Sequence, residues 1–306
     1  MFKVSVIIVT IGAKDYIKSS LDSVFKQTFL PQEVIVIDNS LKPELGLQIN
    51  KLYPLVKVHS EKENLFYSLS LNKGIDLTRG EFVLCLNDDV VLERDFIQEA
   101  LKAFLVNNKI GLVGGRMLRS KGEILDSTGL FLTPWRSAKD RGYGMASLNV
   151  FDEPGFIFGV NGAAAFYRRK MLEEIKEGAD YFDSRFRMFY EDMDISWRAN
   201  KKGWRAYYFP SAVARHVRGG SFRPDCGIDK AVARRYLDEH LHYELIKNRY
   251  LTILKNETFS GFILHLLPVL IYELHLWAYI LFFQPKLIKV VFGNLKKILS
   301  ERKKSF

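Results

Sequence analysis

The chain opens with a pattern that changes period every ten to fifteen residues. Val4 to Thr10 is a continuous apolar, β-branched run, as expected for a strand buried on both faces of a parallel sheet. Ile17, Leu21, Val24 and Phe25 then fall on one helical stripe between Lys14 and Thr28, and Pro31 ends it. Glu33 to Ile37 and Val56 to His59 read as further strands, Leu65 to Leu77 as a helix closed by Gly80, Glu81 to Leu86 as a fourth strand, and Phe96 to Val106 as a helix. Strands alternating with helices predict βαβ units and a mostly parallel α/β sheet flanked by helices.

Beyond Gly111 the pattern loosens. Gly111 to Leu118 and Ile124 to Leu132 read as strands, Lys139 to Asp152 as a loop, and Phe156 to Tyr167 as a strand broken by Gly159 and Gly162. Glu191 to Lys202 is a helix stopped by Gly203, and Arg205 to Val217 a strand interrupted by Pro210. Gly219 to Gly227 reads as a loop and Lys230 to Lys255 as a long charged amphipathic helix. Gly261 to Phe283 carries one formal charge, Glu273, with His265, His275 and Pro268 as further interruptions. Its length suits a membrane span, but a mid-membrane charge is costly, so a tilted span, an in-plane helix and a buried hairpin all remain open. The division expected is a catalytic domain over 1–228 and a helical, hydrophobic and basic membrane-associating region over 229–306.

The 306 residues, 48% hydrophobic and 26% charged, suit a packed protein, and the net charge of +10 suits an anionic partner. Much of the excess is C-terminal. From Gln284 onward Lys286, Lys289, Lys296, Lys297, Arg302, Lys303 and Lys304 face only Glu301, which points to an anionic leaflet and away from nucleic acid. Cys85 and Cys226 form no metal or disulfide spacing, which suggests a reducing compartment. The segment after Met1 lacks the features of a signal peptide and reads as the first strand.

Candidate chemistry gathers at element ends, where parallel sheets bind ligands. Asp38 ends the second strand, Asp88 and Asp89 follow the fourth, and Glu191 and Asp192 open a helix. Two adjacent acids at the tip of a buried run call for a partner, and a divalent cation is a natural one. The turn after the first strand has one glycine, Gly12, so neither a dinucleotide fingerprint nor a P-loop is present.

The runs Val6-Ile7-Ile8-Val9-Thr10, Val34 to Ser40, Asn64 through Asn72-Lys73-Gly74, Arg79 to Asp89, Asn161-Gly162-Ala163, Glu191 to Arg198 and His216 together resemble the inverting glycosyltransferases of family 2, which have the GT-A fold. The resemblance covers roughly residues 3 to 220. It implies Thr10, Asp38, Asn64, Asn87 and Asp88 as donor-binding residues and Asp89 as ligand of a divalent metal (Mn2+ or Mg2+), with His216 a further metal or diphosphate contact. Asp192 would be the general base. Glu191, Trp197 and Arg198 would support it or meet the acceptor. Asn87 replaces the first Asp of the DxD motif, as in rhamnosyltransferase-like members, which suggests a dTDP-rhamnose donor beside the UDP-sugar alternative. Phe66 stands where many members carry Gly. The expected partners are a nucleotide-sugar donor, a glycan or lipid-linked acceptor and a membrane surface, at the cytoplasmic face of the cell membrane. An inactive nucleotide-sugar-binding scaffold and a sugar-nucleotide pyrophosphorylase are the rival readings.

Overall fold

A computed structural model of the chain describes residues 2–13, 16–218 and 239–291. In chain order the elements are β1 (Val4–Thr10), α1 (Tyr16–Phe25), β2 (Glu33–Asp38), α2 (Pro43–Leu52), β3 (Val56–Ser60), α3 (Phe66–Leu77), β4 (Phe82–Asn87), β5 (Val90–Leu92), α4 (Phe96–Val106) and β6 (Ile110–Arg119). They continue as β7 (Leu125–Ser127), β8 (Leu130–Leu132), β9 (Ala138–Asp140), β10 (Gly155–Ile157), β11 (Ala164–Arg168), α5 (Arg169–Ile175), α6 (Glu191–Lys201), β12 (Arg205–His216), α7 (Glu239–Asn256) and α8 (Phe259–Phe283).

The main sheet runs β10-β12-β6-β11-β4-β1-β2-β3. On one side β4, β1, β2 and β3 are parallel neighbours; on the other, β11 lies antiparallel between β4 and β6, and β12 runs parallel to β6. The chain leaves β1 in one direction to reach β2 and β3, then crosses back to β4 on the other side of β1. That reversal opens a crevice at the carboxyl ends of β1 and β4. Register makes the crevice polar: Thr10 pairs with Asp38 and Val9 with Asn87, so three strands end level. The β-branched runs alternate faces. Val4, Val6 and Ile8 join one core with α1 and α4, and Ile7, Val9 and Ile35 join a second core with α3, α5 and α6.

Several elements differ from the sequence reading. Helices α2 and α5 were not expected; Pro43 at its first turn starts the former. The strand expected over Ile124 to Leu132 is two short strands, because Gly129 (φ 123°) turns the chain between them. The expected loop after Lys139 begins inside β9. The register shift between Phe209 and Val213 of β12 spans Pro210, which cannot donate to a ladder. Cys226, the expected loop 219–227, the start of the helix expected from Lys230, the division at 228/229 and the basic residues from Lys296 onward lie outside the described residues.

The C-terminal helices pack on the body. Helix α7 contacts α6, and α8 buries Leu276 and Ile280 in a cluster with Ile246, Leu287 and Val291. Every charged or imidazole side chain of α8 is hydrogen bonded within the protein. Glu273 pairs with Arg249 and accepts from Tyr250, His265 meets Arg136, and His275 meets the Ile271 carbonyl. Its other face is apolar and open, with Leu264 and Phe282 each 76% exposed.

Helix α3 touches β1 through Gly74, where an added Cβ would stand 2.5 Å from Ile7 Cγ2. Gly74→Leu should therefore cost about 1–3 kcal/mol by overpacking. A lowered midpoint in urea unfolding checks this.

Candidate active site

The crevice is a cleft of about 290 Å³, and two sets of acids open onto it. The first set comes from the tip of β4. Asn87, Asp88 and Asp89 all line the cleft. Thr10 lies just beneath and donates from Oγ1 to Asp88 Oδ2 at 2.5 Å, while its own Oγ1 accepts from the Gly12 amide. Asp88 and Asp89 are followed at once by β5, which pairs antiparallel with β12. That pairing carries the end of β12 to the acids: the Val217 amide donates to the Asp89 carbonyl at 3.0 Å, and His216 Nε2 stands 3.3 Å from Asp89 Oδ1.

The second set sits at the start of α6. Phe189 and Tyr190 both have left-handed backbones (φ 68° and 70°), an unfavourable conformation for aromatic residues. This double turn presents Glu191 and Asp192 to the cleft at the helix N-terminus. Asp192 Oδ2 accepts from the Gly162 amide at 3.1 Å. Gly162 is placed there by the approach to β11, where Ala163, the residue before the strand, accepts from the Asn87 amide. The sheet thus brings both acid sets into one cavity.

Burial shapes their protonation. Loss of water raises Asp88 to about 6 against the Thr10 hydrogen bond, with Asp89 adding to the rise. Burial likewise raises Glu191 and Asp192 above the usual carboxylate range; repulsion from Asp192 adds to the first, and Asp140 to the second, against the Gly162 hydrogen bond. His216 moves the other way for its type. Burial opposes its charge, but the hydrogen bonds to Asp126 and Asp89 win and push it up to about 9.

Behind His216 runs a chain of buried charge that sequence reading did not single out. His216 Nδ1 is 2.9 Å from Asp126 Oδ2; Asp126 also pairs with Arg218; Arg218 reaches Asp140 Oδ2 at 3.3 Å; and Asp140 Oδ1 accepts from Asn161 at 2.7 Å. Asp126 is fully buried on β7. The one available signal was its position before Thr128-Gly129, where a turn ends a short strand.

The expected residues divide into two groups. Asn64, Asn87, Asp88, Asp89, Glu191, Asp192 and His216 share the cleft. Asp38 does not line it: buried below, it accepts from the Ser40 amide and Ser60, and its neighbour Asn39 is the cleft residue. Phe66 has φ 58°, which explains why a glycine suits this position, and the Arg187 guanidinium lies 4.9 Å over its ring. Trp197 and Arg198 do not line the cleft either. Trp197 packs edge-on against Phe158, and Arg198 is a buried strut that donates to Asp194 (2.9 Å) and to the carbonyls of Ile175 and Tyr181 (2.7 and 2.6 Å). Their helical spacing from Asp192 turns both into the core. Among the described residues no group of three or more His, Cys, Asp or Glu side chains is arranged to hold a metal ion.

Comparison with known proteins adds a family. The model described as Glycosyl transferase family 2 matches residues 5–176, a stretch that ends before Glu191. Over 208 residues the chain is 23% identical to poly-beta-1,6-N-acetyl-D-glucosamine synthase of Staphylococcus aureus, covering 65% of this chain and 46% of that protein. It is 28% identical over 120 residues to glucosyl-dolichyl phosphate glucuronosyltransferase of Haloferax volcanii, 38% of each. It is 30% identical over 115 residues to an uncharacterised glycosyltransferase of Haemophilus influenzae, 36% of this chain and 35% of that one. The chain spans between a third and a half of these curated relatives. Among solved structures, GalNAc-T7 with UDP, GalNAc and Mn2+ superimposes with a TM-score of 0.62 at 15% identity, over 83% of this chain and 48% of that chain. S. aureus TarS 1–349 gives 0.53 at 19%, over 84% and 66%. At such identities the likeness concerns the fold, which is GT-A-like.

Because Arg198 is a strut, Arg198→Ala should destabilise the fold by about 1–3 kcal/mol through the buried Ile175 and Tyr181 carbonyls it leaves without this donor. Chemical unfolding of the variant measures this; an unchanged midpoint with lost activity would return Arg198 to the chemistry.

Proposed function

The chain belongs to glycosyl transferase family 2, and from that premise we propose that its cleft transfers a sugar from a nucleotide-diphosphate donor to a glycan or lipid-linked acceptor, with inversion. The observation that carries this reading is the opening of both acid sets, Asp88-Asp89 and Glu191-Asp192, onto one cavity. Two buried oxygens there, Asn87 Oδ1 and Glu191 Oε2, have no partner among the described residues, as expected where a polar ligand completes the site.

Asp89 and His216 would hold a divalent cation. A carboxylate oxygen and an imidazole nitrogen 3.3 Å apart suit Mn2+ or Mg2+, with donor oxygens and water filling the rest of the shell. Asp126 holds His216 Nδ1, and a cation would take the place of the proton that Nε2 shares with Asp89. The cation, when bound, supplies positive charge against the departing diphosphate. Thr10 steadies Asp88. Asn64 and Asn39 border the donor, and Asp38 acts from beneath by fixing the Ser40 and Ser60 turns. Asp192 takes the proton of the acceptor hydroxyl as it attacks, and the Gly162 amide aims the carboxylate. In-line attack from the base's side gives inversion. The uncharged Asn87 motivates rhamnose as donor sugar.

The exposed apolar face of α8 and the basic residues that follow it in sequence suit the cytoplasmic face of a membrane. By length and composition α8 is able to cross one. Its charged and imidazole side chains are engaged by the protein, which favours an in-plane seat. Residues 239–283 of the expected membrane-associating region then serve as a platform joined to the catalytic body.

A panel of UDP- and dTDP-sugars should show release of nucleoside diphosphate with Mn2+ or Mg2+, lost on adding EDTA. In the same assay Asp192→Asn should lower transfer by about 10²–10⁴-fold while leaving binding of UDP or dTDP within a few-fold. Because Asp192 must be ionised and burial raises its pKa, activity should fall with acidity at a pH above the ordinary carboxylate value of about 4. The full chain should co-sediment with phosphatidylserine-containing vesicles and release from them in high salt; equal binding to neutral vesicles would remove the electrostatic part of the reading.

A further inference from the structure

The turn that carries the candidate base is held from two sides: α3 reaches its leading edge, where Tyr67 donates to the Arg187 carbonyl and Ser68 to that of Phe186, and a second set of holds comes from the C-terminal helices. Tyr190, the N-cap of α6, makes no side-chain cap hydrogen bond. The turn's two left-handed aromatic residues need outside support to persist. At Met188 and Phe189 the support comes from α7, which like the turn lies beyond the matched family stretch.

Asn248, fully buried on α7, donates from Nδ2 to two successive carbonyls, Met188 at 2.7 Å and Phe189 at 2.8 Å. The same helix grips both flanks of the turn. Lys247 reaches the Arg185 carbonyl at 2.9 Å, Lys255 pairs with Asp183 at 2.7 Å, and Asn256 donates to Asp194 Oδ1 at 2.8 Å. Met188, Phe189, Glu191 and Asp192, all lining the cleft, lie between these anchors.

We propose that Asn248 is a positioning residue for the transfer reaction: by fixing the Met188 and Phe189 carbonyls it sets the turn that aims Asp192 at the acceptor hydroxyl. The proposal rests on the reading of Asp192 as base. It assigns α7 a part in catalysis, so the C-terminal helices do more than attach the enzyme to a surface. A base displaced by about an ångström loses on the order of 100-fold in rate, so a released turn should show chiefly in kcat.

The test uses full-length protein. Asn248→Leu fills nearly the same volume without the two donors, and Asn248→Ala serves as a second variant if the first does not fold. The expected result is a fall in kcat of about 10–100-fold with the KM for the donor and the affinity for UDP or dTDP with Mn2+ within about threefold of wild type. Amide hydrogen exchange should quicken over residues 186–192 and stay unchanged in β1 and β4. A folded variant with wild-type kcat, or one whose loss lies in donor affinity, overturns the proposal. Asp192→Asn, assayed in parallel, separates the two readings. If it is inactive while Asn248→Leu is unaffected, only the positioning role fails; if it is fully active, the base assignment fails and the positioning role with it.

Discussion

Four carboxylates share one small cleft, and the site depends on how their repulsion is met. Asp88, Asp89, Glu191 and Asp192 all face it. The protein answers from one side, where His216 and Arg218 are themselves held by Asp126 and Asp140. Burial, with repulsion added to it, raises the acids at the start of α6, and the two adjacent acids at the β4 tip are of the kind that suit a divalent ion.

Sheet topology creates this arrangement from distant parts of the chain. The crossover between β1 and β4 opens the crevice, β11 brings the Gly162 amide to Asp192, and the β5–β12 pairing brings His216 to Asp89. Each depends on backbone register, so the site tolerates little slippage: a one-residue shift of β12 against β5 would turn His216 to the other face.

The helices after the sheet serve two surfaces at once. Helix α7 ties its amides and ammonium groups to the turn before α6, and α8 leans on α7 through Glu273 while showing its apolar side outward. The outward apolar face of α8 and the candidate base are therefore two helices apart, joined by hydrogen bonds and ion pairs.

The amino-acid sequence by itself determined the βαβ half. Its strands are continuous β-branched runs and its helices amphipathic stripes, patterns fixed by local burial, so β1, β2, β4 and α4 were legible to within a residue or two. It also determined that acids would stand at strand and helix ends, because polar residues closing a buried run have few other places to go. Only the tertiary structure decided which of them meet. Arg198 and Trp197 share a helix with Asp192 yet turn into the core, since five and six residues at helical pitch change the face presented. Asp126, Asp140, Arg218 and Asn248 gave no periodic signal, because their partners lie far away along the chain and a hydrogen bond between such positions exists only once the sheet has set their distance.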